Sequence, residues 1–476
     1  MNLLLLSDAY KYSHHQFYHP QTEKIYSYLE SRGGLFDETV FFGLQYFLQE
    51  YLCKPFTKAD LDEADQVLNG VFGRPGVFDR SRFEYILEAH GGYFPVRIQA
   101  VPEGMAVPVH NVLMTIENTD PKCAWVTNFL ESLLLQVWYP ITVATLSREI
   151  RKICQDYLDK TSEQTGVEFM LNDFGFRGVS SVESASLGGA AHLVNFRGSD
   201  TVVGSAMIRK HYHTDTVYGM SIPATEHSIC TQQGEAGELE VFRRVLATYP
   251  EGMVACVSDS YDIFKACREY WGGALREEVL ARKGTLVIRP DSGDPVRTLL
   301  EVFRILFEQF GERINAKSYR VLPPQVRVIQ GDGIQLESIR HILQTLEKEK
   351  IAAENIVFGM GGKLLQGVHR DTQNFAIKCS YTEIAGQGRS VVKHPVEMDA
   401  DGVLGRSFKR SKAGQLVLRR HHGSGAFETT SSTDVHAPAW SDDLLQPVFE
   451  DGRMLRTWTF EAVREQNTFN IQPKTR

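Results

Sequence analysis

TLVIRPDSGDPVRTLLEVFRILFEQF, residues 285–310, runs through one complete structural repeat. TLVI is apolar without alternation, which suits a strand covered on both faces. RPDSGDP is a turn built from polar, glycine and proline residues, and Pro295 stands where a helix begins. Leu299, Val302, Phe303, Leu306 and Phe310 then recur at helical spacing. The same order extends to both sides. Between residues 166 and 362 an apolar stretch stops seven times at a polar or glycine-rich turn. The stops are NDFGFRG (172–178), NFRGSD (195–200), ATEH (224–227), SDS (258–260), RPDSGDP (289–295), QGDG (330–333) and FGMGG (358–362). They recur roughly every 30 residues, the length of a strand plus its return helix in a (β/α) barrel. The expected fold is α/β, with an irregular (β/α) barrel of about seven strands over residues 146–378. A doubly wound open sheet shares this local pattern and stays open as an alternative.

The flanking segments read differently. TEKIYSYLESR (22–32) is a strand, ETVFFGLQYFLQEYL (38–52) has helical spacing, and residues 94–119 form short strands separated by Pro, Gly and Asn. Residues 123–160 suggest two long helices, the first apolar nearly all round. Beyond residue 378 the barrel rhythm fades into strands and a terminal hairpin. Residues 1–145 and 379–476 are expected to form one discontinuous α+β domain.

Composition narrows the function. With 476 residues, 42% hydrophobic and 23% charged, the chain is an ordinary globular one of two or three domains. A net charge of −8 argues against wholesale nucleic-acid binding, so any anion site must use specific cations and loop amides. The seven cysteines lack a CxxC spacing and read as buried free thiols. No signal-like or membrane-length apolar run occurs, and a cytoplasmic location is expected.

The active sites of such barrels lie in the loops after the strands, where the seven stops fall. Arg289 and Asp291 arrive at a turn where Ser292 and Gly293 offer amides to an anion. An acid here also suits a helix N-cap. Gly331 permits close approach beside Asp332, which can bind vicinal hydroxyls, and Gly361–Gly362 form a possible phosphate cradle. Phe174 beside Arg177 can stack a flat heterocycle near a phosphate, although a phenylalanine there also suits the barrel core. His227, next to Glu226, is a candidate proton or phosphoryl acceptor. The histidine pairs at 14–15, 211–213 and 421–422 lack zinc spacing. The mixture of acids, arginines, glycines and one histidine fits a phosphorylated, metal-chelated ribose.

Long ordered motifs carry a resemblance. SDAYKYSHHQFYHP (7–20), ENTDP, WYPITVAT, DFGFRGVSS, AAHLVNFRGSDT, EHS, VSDSYDI, IRPDSG, RVIQGDG and KCSY are similar to those of the nicotinamide phosphoribosyltransferase family, which are type II phosphoribosyltransferases. The resemblance implies transfer of a phosphoribosyl group from phosphoribosyl pyrophosphate to nicotinamide, with Mg²⁺, coupled to ATP, in a homodimer. It implies that Phe174 and Tyr10 of the partner subunit sandwich the pyridine, with Arg289 beside them, and that Asp200 receives the carboxamide. Asp291 and Asp259 resemble the acids near ribose, and His227 the histidine phosphorylated by ATP. Arg177, Gly331, Asp332, Gly361 and Gly362 match ribose-phosphate contacts. Arg32, Arg370, Lys378, Lys393 and Lys409 match phosphate-gathering cations. Asp8, Glu226 and Ser221 are further candidates, and the protein ligands of Mg²⁺ are left open. Met360 and Lys363 depart from the family's loop. A nicotinate phosphoribosyltransferase is the nearest alternative.

Overall fold

The structure, a computed structural model, describes residues 1–163, 166–398, 404–406, 411–434 and 439–468. The chain forms two compact units, one of residues 143–209 and 215–368, the other of residues 1–142, 210–214 and 369–476.

The first unit is built on parallel strands. These are β1 (Leu171–Asp173), β2 (Gly198–Ser199), β3 (Glu251–Val257), β4 (Lys283–Arg289), β5 (Val326–Gln330) and β6 (Ile356–Met360). Their order across the sheet is β2-β1-β6-β5-β4-β3. The two edges both bond to the extended segment 220–224. Ser199 donates to the Met220 carbonyl at 2.9 Å, and Ala255 donates to the Pro223 carbonyl at 2.9 Å. Both bridges, Gly198 with Met220 and Ala224 with Ala255, are parallel. Going round the sheet and across this segment therefore follows chain order. Curling satisfies edge groups that an open sheet would leave bare. Inside, Ala255, Val287 and Ile329 are buried together, with Ile222, Val357 and Phe174 packed against them.

The helix after β4, Pro295–Phe310, shows why the turns end where they do. Asp294 caps it by accepting the Arg297 N–H at 2.8 Å, and Pro295 sits in the first turn. Gly293 takes φ +84°, a conformation that favours glycine.

The second unit carries a seven-stranded sheet in the order 387–390, 375–384, 22–31, 112–118, 96–100, 446–450, 453–454. Strands from the start of the chain thus pair with strands from its end, Tyr28 opposite Lys378 among them. Two local expectations change. Residues 38–52 do not form one helix: Glu38–Val40 is a strand paired with Ala106–Pro108, and Gly43, at φ +98°, delays the helix to Leu44. Within 123–160 only Trp138–Thr161 is long, because ψ near −3° at Leu130 interrupts the ladder and short turns precede it. Among the described residues no single helix is long and apolar enough to cross a membrane.

Candidate active site

A cavity of 620 Å³ opens at the ends of β1, β2, β4 and the 220–224 segment. Phe174, Phe176, Arg177, Asp200, Thr201, Glu226 and Arg289 line it, together with Ala224, Thr225 and Ile229. Phe174 is fixed by its own amide, which donates to the Met360 carbonyl at 3.0 Å. Its ring lies over Gly359, where an added Cβ would stand 2.1 Å from a ring carbon. The Arg289 guanidinium carbon is 5.7 Å from the centre of that ring, within cation–π range. Asp200 is exposed and accepts the hydroxyl of Ser221. A ring can therefore lie between an aromatic face and an acid.

Beside the cavity a chain of polar contacts joins three loops. His227 Nε2 lies 3.0 Å from Asp259 Oδ1. Asp259 Oδ2 accepts the Asp291 N–H at 2.9 Å, and Asp291 Oδ1 accepts Arg289 Nη2 at 2.8 Å and Nε at 3.2 Å. The Asp259 side chain is only 3% exposed while that of His227 is 48% exposed, so a buried acid holds an accessible imidazole. Because Asp294 supplies the helix cap, Asp291 remains with the site. An added Cβ at Gly331 would stand 3.2 Å from Asp291 Oδ1, so that loop approaches closely.

The other barrel loops carry groups with fewer ties. Arg177 is exposed on the turn Phe176–Gly178, and the Asp332 carboxylate is exposed after β5. Neither side chain has a partner among the described residues. The Gln330 amide donates to the Asp332 carbonyl at 3.0 Å, and its buried Oε1 has no partner. Gly361 and Gly362 begin a single helical turn, and a Cβ on Gly178 would meet Gly362 Cα at 2.8 Å.

The remaining candidates belong to the second unit. Tyr10 is exposed, and Asp8 accepts the Ser132 hydroxyl. Arg32 donates to the Asn374 carbonyl at 3.3 Å. Burial lowers the pKa of Lys378, and the charges of Arg32 and Lys393 lower it further, so these three form one cationic cluster. Arg370 is bound to Asp371 at 2.9 Å. Lys409 lies outside the described residues.

Sequence reading did not single out Asp173, Thr201 or Gly359. Asp173 is completely buried, and burial pushes its carboxyl up to about 6 while the Gly175 amide pulls the other way. The signal was the DFG turn itself, where the acid precedes Phe174.

Two families of known proteins match this chain. The nicotinate phosphoribosyltransferase (NAPRTase) family matches residues 169–424, and the nicotinamide phosphoribosyltransferase N-terminal domain matches residues 2–98. A nicotinamide phosphoribosyltransferase of Xanthomonas campestris is 49% identical over 468 residues, covering 97% of both chains. One from Acinetobacter baylyi is 31% identical, covering 98% of this chain and 97% of its own. Among solved structures, the human nicotinic acid phosphoribosyltransferase superposes with a TM-score of 0.60 at 17% identity, over 98% of this chain and 93% of that one, a likeness of fold. On the extent and level of these identities, the chain belongs to the nicotinamide phosphoribosyltransferase family.

Proposed function

We propose that this enzyme transfers the 5-phosphoribosyl group of phosphoribosyl pyrophosphate to nicotinamide, giving nicotinamide mononucleotide and pyrophosphate in NAD salvage. The observation that carries this reading is the 49% identity to a nicotinamide phosphoribosyltransferase over 97% of both chains. The cavity chemistry supports it. Nicotinamide stacks on Phe174 beside Arg289, and the Asp200 carboxylate, oriented by Ser221, accepts its amide N–H. The pyridine nitrogen already has a free lone pair, so attack on the anomeric carbon needs no general base. The chain's work is alignment and charge. Arg177 and the amides at Gly331 and Gly361–Gly362 take the phosphates, while Asp291 and Asp332 take ribose hydroxyls. The exposed Asp332 carboxylate, which has no side-chain partner among the described residues, would hold the water shell of a Mg²⁺ bound to the diphosphate, and that ion would supply charge neutralisation for the leaving group.

His227 accepts a phosphoryl group from ATP in this reading. Asp259 engages Nε2, which leaves Nδ1 as the nucleophilic nitrogen. Tyr10 of the partner subunit and the cations Arg32, Arg370, Lys378 and Lys393 keep the roles that the resemblance gives them in a homodimer.

The nicotinate reading is favoured by the family match over 169–424. Asp200 weighs against it, because a carboxylate repels a ring carboxylate. Pyrophosphate release should be measured with each ring substrate, with and without ATP. Release with nicotinamide, stimulated by ATP, is expected; release with nicotinate alone would sink the assignment.

A further inference from the structure

Within the second unit, three side chains of different chemistry converge where the helix Arg80–His90 ends and the turn Pro121–Cys123 begins. They are His90, Asp120 and Cys123, and one donor atom from each lies within 4.8 Å of the other two. His90 Nε2 is 2.8 Å from Asp120 Oδ2. The Cys123 thiol is free, buried and without a hydrogen-bond partner among the described residues. The helix does not need a histidine at its end, because Gly91, at φ +63°, terminates it.

The backbone that carries these groups is fixed by the chain itself. Asp120 Oδ1 caps the turn by accepting the Lys122 N–H at 2.8 Å, and the Asp120 carbonyl accepts the Cys123 N–H at 2.9 Å. Oδ2 is left for His90 and for the Tyr85 hydroxyl, which donates to it at 2.7 Å. Donors around a tetrahedral Zn²⁺ stand about 3.5 Å apart, so separations of up to 4.8 Å close by side-chain shifts of about an ångström. The side chains of His90 and Asp120 are 24% and 15% exposed, which gives an ion a way in and a water a place as fourth ligand. Thiolate and imidazole disfavour Mg²⁺ and Ca²⁺, which take oxygen, and favour a borderline-soft divalent ion.

We propose that His90, Asp120 and Cys123 form a Zn²⁺ site that clips the end of the helix Arg80–His90 to the turn after the strand Val112–Asn118. The ion binds His90 through Nε2, Asp120 through Oδ2 and Cys123 through Sγ, and a water completes the tetrahedron. The imidazole ligates in its neutral form, with its proton on Nδ1. The thiol proton leaves to solvent, so the sulfur binds as thiolate. Tyr85 keeps its hydrogen bond to Asp120 and orients the carboxylate from behind. The ligand set differs from that of the Mg²⁺ that accompanies the diphosphate.

The test uses the full chain, freed of metal with a chelator, and Co²⁺ as a spectroscopic substitute for Zn²⁺. A single equivalent of Co²⁺ should give a thiolate-to-metal charge-transfer band in the near ultraviolet and visible bands of tetrahedral intensity. Zn²⁺ should erase both, and excess Mg²⁺ should erase neither. Cys123→Ser should lose the charge-transfer band, and His90→Gln should bind Zn²⁺ at least about tenfold more weakly. Cys53→Ser, which removes a half-buried thiol elsewhere, should keep both bands. Zn²⁺ should raise the melting temperature of the wild type and of Cys53→Ser but not that of Cys123→Ser. A wild-type chain without the charge-transfer band would overturn the proposal, as would a band that survives in Cys123→Ser or yields to Mg²⁺. If Cys123→Ser does not fold, His90→Gln decides, because its site is partly exposed at a helix end. Unchanged Zn²⁺ affinity in that variant would remove the site.

Discussion

Two arcs of the barrel rim, made from the same strand–turn–helix unit, are prepared for ligands in different ways. On the arc of segment 224–227, β3 and β4, side chains hold one another: His227 to Asp259, Asp259 to the Asp291 amide, Asp291 to Arg289. On the arc of β5, β6 and β1, Asp332 and Arg177 have no side-chain partner among the described residues, and Gly361–Gly362 offer bare backbone. The locked arc sets its geometry before a ligand arrives, which suits phosphoryl acceptance by a correctly oriented imidazole. The free arc leaves its charges to be organised by an anion that brings its own oxygens, at some cost in side-chain ordering.

Breaking the locked arc should have the largest effect. Asp259→Asn keeps the volume but removes the charge that faces His227, and it disturbs the acceptor of the Asp291 amide. ATP hydrolysis and the yield of acid-labile phosphoenzyme should fall roughly 10²–10⁴-fold, while uncoupled transfer to nicotinamide persists. Undiminished ATP turnover in this variant would show that the contact between His227 and Asp259 does not orient the acceptor.

Asp173 is the buried acid of the free arc, and its effect is on stability. Its carboxyl rises from 3.8 to about 6, chiefly through burial, with Asp200 adding to the rise. The folded state then binds the proton more tightly than the unfolded one. Stability falls as pH rises from about 4 through 6, and the loss is complete above that. Asp173→Asn removes the dependence. Its stability relative to wild type should grow from nothing near pH 4 to about 3 kcal/mol at most by pH 7, as read by urea unfolding at several pH values. A difference independent of pH would contradict the assigned direction.

Gly331→Ala sharpens the comparison at the seam between the arcs. The new methyl would stand 3.2 Å from Asp291 Oδ1 and 3.3 Å from Arg289 Nε, so the locked pair must yield by a few tenths of an ångström. A loss of about tenfold in kcat/KM is expected, measured with phosphoribosyl pyrophosphate as the varied substrate. Wild-type kinetics would mean that this pair is less rigid than its hydrogen bonds imply.

The barrel was legible because its strand ends are marked. RPDSGDP, QGDG and FGMGG each break an apolar run, and β4, β5 and β6 end at or within them. The same marking brought Phe174 and Arg289 forward, the family resemblance added Asp200, and all three line one cavity. What was not legible depends on register and backbone angle. RPDSGDP holds two aspartates, and only the geometry gives the cap to Asp294. Asp173 and Phe174 are adjacent, yet one is sealed and the other half-buried, because successive strand residues face opposite ways and one sequence does not reveal the phase. Gly359 reads as turn punctuation, whereas its missing Cβ leaves room for the Phe174 ring. The helical spacing of residues 38–52 was overridden by the left-handed Gly43 and by pairing of Glu38–Val40 with Ala106–Pro108.

The smallest expected effect tests the free arc itself. Arg177 is exposed and without a side-chain partner among the described residues, so nothing in the folded chain depends on its charge. Arg177→Ala should leave unfolding free energy within about 0.5 kcal/mol of wild type. If the loop receives phosphate, KM for phosphoribosyl pyrophosphate should still rise, by roughly tenfold or less, while KM for nicotinamide stays put. The rise should shrink at higher ionic strength, because salt already screens an exposed arginine. A stability loss would place Arg177 among the locked groups. An unchanged KM for the phosphorylated substrate would remove Arg177 from the anion cradle, and the case for a free arc would then rest on Asp332 and the glycine amides.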